Sequence, residues 1–120
     1  STRPRALNML AEIYAALGVY DRAIAIDTER LKQIPNAVAA QRRLTWSLLR
    51  THDWVGARRA GHRLNALTPT DALSQGIVAV ATRAMTDQDR IQAVTRLAVF
   101  SNAEAARLTG GMARPETRSH

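Results

Sequence analysis

The chain has 120 residues, no cysteine and a formal net charge of +7. That length suffices for one domain with an apolar core of its own, and the missing cysteines exclude structural disulfides and thiolate metal centres. No apolar run reaches the roughly 18 to 20 residues a bilayer span requires, and no signal-peptide pattern opens the chain, so the sequence as given reads as soluble, with the compartment, cytoplasmic or periplasmic, left open.

Pro4 suits the first turn of a helix, where its missing N–H is not needed, and Leu7, Leu10, Ile13, Tyr14 and Leu17 follow at helical spacing until Gly18. Tyr20, Ala23, Ile24 and Leu31 form a second apolar stripe that Pro35 and Asn36 stop. A third helix begins near Ala37, carries Leu44, Leu48 and Leu49, and breaks at Thr51 to Asp53; a fourth runs from Trp54 through Ala57 and Leu64 to Leu67. Asp71 is suited to cap a fifth, with Leu73, Ile77, Val78, Val80 and Ala81, extending to Met85. A sixth is expected from about Asp89 to Phe100. Ser101 or Asn102 then caps a short last helix, Ala103 to Leu108, and residues 110–120 read as a polar, flexible tail. The opening Ser-Thr-Arg-Pro, without Met, reads as the start of an excised piece.

Thirty-four residues separate Ala23 from Ala57, Leu10 from Leu44, Tyr20 from Trp54 and Pro35 from Pro69. A fixed period of this length marks a stacked array of helical hairpins, each burying its apolar face against its neighbours. Leu10, Ala11, Tyr14, Gly18, Tyr20, Ala23 and Pro35, repeated as Leu44, Leu48, Trp54, Ala57, Leu64 and Pro69, resemble the tetratricopeptide repeat (TPR). The resemblance implies an all-α, right-handed superhelical array of antiparallel hairpins over residues 1–109, with repeats at about 4–36, 37–70 and 71–100 and a cap at 101–109. Small residues belong where paired helices cross, here Ala11 with Ala23 and Thr45 with Ala57. Four positions depart from the pattern: Asp27 and Gly61 stand where a bulky side chain is usual, His52 replaces the turn glycine, and Arg30 replaces a small residue. Looser packing, or room for a neighbouring subunit, is the expectation at these sites.

In this family the first helix of each hairpin lines a concave groove, which assigns Asn8, Glu12, Arg42, Trp46, Leu49, Arg50, Val80 and Arg83 to a partner-binding face. Trp46 between Arg42 and Arg50 is the preferred anchor, because tryptophan and arginine dominate binding hot spots and arginine grips carboxylates in a fork. The clamp by which one subfamily holds acidic chaperone tails has no counterpart, since its positions hold Asn8, Glu12, Arg43, Leu73 and Ile77. Arg58, Arg59, His62 and Arg63 form an outward basic patch. Leu97, Phe100 and Leu108 are the expected self-association contacts of an imperfect array end.

Sixteen arginines and one lysine against ten acids favour acidic partners, although a GC-rich genome yields the same bias. His52, His62 and His120 are scattered, and neither metal-ligand spacing nor a glycine-rich phosphate loop occurs. No cofactor, metal or catalytic residue is expected. The function read from sequence is a protein-interaction scaffold that holds a partner peptide or helix in its groove. The alternatives are a self-association module or, less favoured, a regulator or nucleic-acid-associated factor using its arginine-rich faces.

Overall fold

The structure, a computed structural model, describes residues 3–108, with side chains through residue 103. These residues form six helices and no strand: α1 (Arg3–Ala16), α2 (Tyr20–Gln33), α3 (Val38–Arg50), α4 (Trp54–Ala66), α5 (Ala72–Thr82) and α6 (Asp87–Leu108). Each helix packs against the next, and α3 also touches α1 and α5. The fold is all-α.

Helix ends follow local chemistry. Gly18 (φ +79°) ends α1 with its N–H on the Ala15 carbonyl and the Val19 N–H on that of Tyr14. His52 (φ 61°) ends α3 with the same pair of bonds, to Leu49 and from Asp53 to Leu48. This is the Schellman closure, which needs one residue in the left-handed region. The Asp53 carboxylate caps α4 by accepting from the Gly56 N–H at 3.0 Å, and Asp71 caps α5 through the Ser74 N–H at 2.7 Å. The fifth helix stops at Thr82, three residues short of the sequence expectation. Thr86 then accepts from the Asp89 N–H and starts α6 at Asp87.

The predicted break at Ser101 and Asn102 does not occur; α6 runs unbroken for 22 residues. Serine and asparagine permit a cap without imposing one, and no proline or glycine interrupts Ala103 to Leu108. The third hairpin and the separate cap are therefore a short helix followed by a long one.

The core lies among α3, α4, α5 and α6, where Leu49, Ala57, Leu64, Ile77, Ala81 and Val94 are buried together. Each of the large aliphatic side chains contributes about 1.5–3 kcal/mol by leaving water. Ala11, Ala23, Thr45 and Ala57 are all fully buried, as helix-crossing positions require.

Two of the four departing positions, Gly61 and Asp27, tighten the packing instead. A Cβ on Gly61 would lie 2.8 Å from the Ala81 Cβ and 3.0 Å from Thr82 Cγ2, so α4 and α5 approach as closely as they do because no side chain intervenes. Asp27 is fully buried and is held by Arg43, whose Nε and Nη2 donate to its two oxygens at 2.8 Å each. Arg43 Nη2 also donates to Asn8 Oδ1 at 2.9 Å. One guanidinium thus joins α1, α2 and α3.

Candidate functional site

Helices α1, α3 and α5 present Glu12, Arg42, Trp46, Leu73 and Ile77 to one cavity of about 170 Å³. Ser101, on the far half of α6, closes part of it. The sequence foresaw the first three of these residues on one face; nothing in it announced that α6 reaches the same place.

Two of the groove's polar residues are already engaged. Asn8 is bound to Arg43, and Arg42 Nη1 donates to Ser74 Oγ at 3.3 Å and lies 3.6 Å from Asp71 Oδ2. Arg42 therefore ties α3 to the N-terminal turn of α5. Burial pushes the Asp71 carboxyl up, but hydrogen bonds from Ser74 and the charge of Arg42 outweigh it and hold the group below its ordinary range. Asp27 behaves oppositely: burial raises its carboxyl above the ordinary range despite the hydrogen bond and charge of Arg43.

Trp46 is half-buried, with its ring beneath the Arg50 guanidinium at 5.5 Å from the centroid; the same guanidinium lies 5.8 Å from the Tyr20 centroid. Arg50 is exposed and makes no ion pair among the described residues. Two aromatic faces orient it while leaving its donors to solvent. Arg50 does not itself line the cavity; it adjoins it through Trp46, while Glu12, also exposed, is part of the lining.

Leu49 does not line the groove. It is completely buried in the core, because α3 is flanked by α1, α2, α4 and α5 and has little free perimeter. Val80 is half-buried against that core, and its carbonyl accepts from Arg90 Nη1 at 2.6 Å. Arg83 is exposed at the end of α5 and does not line the cavity. Arg58, Arg59, His62 and Arg63 are all exposed on α4, as expected of an outward patch.

Of the expected self-association residues, Leu97 is half-buried, with its Cδ1 3.0 Å from the place a Cβ on Gly76 would occupy. Phe100 is 38 % exposed, and the Leu108 side chain lies outside the described set. Among the described residues more large apolar side chains are exposed on α1, where Met9, Leu10, Ile13 and Leu17 stand along one stripe, than on α6, where Val99 and Phe100 do.

Sequence reading missed Arg90 altogether. It is 92 % buried and donates to the carbonyls of Val80, Ala81, Arg83 and Met85, closing the end of α5, with the Trp54 ring 5.9 Å from its guanidinium carbon. Its only sequence signal was a charge on the inward stripe of an amphipathic helix.

Among the described residues no group of three or more His, Asp or Glu is placed to hold a metal, and no helix is long and apolar enough to cross a membrane. Compared with protein-family models, curated proteins and solved structures, the chain finds no match in any of the three.

Proposed function

We propose that the chain is a TPR-like interaction module that seats an extended peptide or helix of a partner protein in the groove of α1, α3 and α5, without catalysis. The observation that carries this reading is the shared cavity: alternate helices contribute Glu12, Trp46 and Ile77 to one concavity, as a superhelical array of hairpins requires. The matching Schellman closures at Gly18 and His52 support the same architecture.

The chemistry of the partner follows from which charges remain available. Arg42 and Arg43 are engaged internally, so the acid-binding role expected of Arg42 passes to Arg50, and an acidic partner side chain docks there beside Trp46. Glu12 favours a basic group at the other end of the bound segment. To test this, peptides selected from a displayed random library would be titrated against Trp46→Ala and Arg50→Glu. Each substitution is expected to weaken binding at least about tenfold with unchanged far-UV circular dichroism. Selected peptides that bind both variants as they bind the parent would rule the groove out.

A second reading, self-association, is favoured by the exposed stripe Met9, Leu10, Ile13 and Leu17. It moves the contact surface from the α6 end to α1. Concentration-dependent light scattering that Ile13→Glu abolishes would establish it.

A further inference from the structure

We propose that a second cavity, between the first turn of α1 and the last turns of α2, binds a medium-chain carboxylate. It is a half-open cleft of about 340 Å³, within the size range of small-molecule sites, and its lining shares no residue with the α1, α3 and α5 cavity. Pro4, Leu7, Ala25, Ile26 and Ile34 give it apolar walls. Such walls favour an alkyl chain, which leaves water on entering.

The head group is chosen by Arg30, which also lines the cavity. Its Nη1 donates to the Pro4 carbonyl at 2.7 Å, and its Nε is buried without an acceptor among the described residues. Arg43 spends the corresponding Nε and Nη2 edge on the two oxygens of Asp27; among the described residues that edge of Arg30 has no hydrogen bond. Asp27 is near enough for its carboxyl to feel the charge of Arg30, but both its oxygens belong to Arg43. Glu29 also lines the cavity, yet it is 66 % exposed and has Lys32 at 3.5 Å, so solvent and its neighbour screen it.

One guanidinium with spare donors therefore stands beside an apolar chamber. Turning it toward a ligand gives up only the bond to the Pro4 carbonyl. Its fork matches the two oxygens of a carboxylate, and the apolar walls favour an anion that carries an alkyl chain over an inorganic one.

The test is titration of octanoate into the isotope-labelled protein, with 1-octanol as the uncharged comparator and with the variants Arg30→Met and Ala25→Trp. Octanoate is expected to shift amide signals within residues 4–7 and 25–34 with a dissociation constant of about 1 mM or below. Arg30→Met should weaken it at least about tenfold, by loss of the charged fork. Ala25 is exposed, so a tryptophan there fills the chamber while the fold survives; that variant should not bind octanoate, and it decides the matter even if Arg30→Met fails to fold. Absence of shifts at saturating octanoate, equal binding of 1-octanol, or an unaffected Ala25→Trp would overturn the proposal.

Discussion

The first two hairpins and the third close their leading helices by different physics. At the ends of α1 and α3, backbone bonds do the work, and the sequence needs only one residue able to take a positive φ, Gly18 or His52. At the end of α5, Arg83 is extended (φ −72°, ψ 145°) and the orphan carbonyls are met by the Arg90 side chain from the next helix. A backbone closure leaves a mark at a fixed place in each repeat. A side-chain closure leaves none, because the donor can come from any position that reaches. The thirty-four-residue period fades where the closure changes hands.

Both regions also depend on one largely buried arginine, and breaking these separates them most sharply. Arg43→Met leaves the buried Asp27 carboxyl without its two hydrogen bonds, with only the more distant charge of Arg30 nearby, and is expected to cost about 3 kcal/mol, measured by urea unfolding. The double variant Asp27→Leu, Arg43→Met removes the charge together with its partner and should recover most of that loss. If the double variant is no better than Arg43→Met, the pair is not what holds the first hairpin to the second. Arg90→Met strips the end of α5 of its donor and is expected to cost about 2–3 kcal/mol, with hydrogen exchange quickening at residues 80–85 and not at 14–19 or 48–53.

The smallest effects sharpen the likeness of the two backbone closures. Gly18→Ala meets open space but the wrong backbone region, and should cost about 1 kcal/mol through conformation alone. His52→Gly relieves that same strain while giving up a stack on Trp54 at 4.9 Å, so a gain of at most about 0.5 kcal/mol is expected in thermal unfolding. A large loss from His52→Gly would mean that the stack, and not the turn, fixes this corner.

The stopping places of α1 to α4 were legible because each rests on a local rule: a proline, a positive-φ residue or a capping acid. The length of α6 was not, since Ser101 and Asn102 can equally cap a helix or sit inside one. Leu49 was misplaced for another reason. Spacing along α3 ranks its faces but does not reveal that neighbours cover nearly all of them. That Glu12, Arg42 and Trp46 share a face could be read from the repeat, whereas the electrostatics of the cavity they line could not. Which arginine is free depends on partners 16 to 35 residues away, Asp27 and Asn8 for Arg43 and Ser74 for Arg42, and no local pattern encodes such distances. Asp27 and Gly61 looked like defects only while their partners, Arg43 and Ala81, were out of view.

Arg42 and Arg43 are adjacent in the chain yet reach in opposite directions, one forward to α5 and the other back to α1 and α2. Helix α3 is thereby a two-way strut. The first hairpin can fray without slackening the tie to α5, and the α5 end can fray without disturbing Asp27. Opening from either end is expected to stop at α3, which hydrogen exchange would register as protection at residues 38–50 that outlasts that of α1 and of α6.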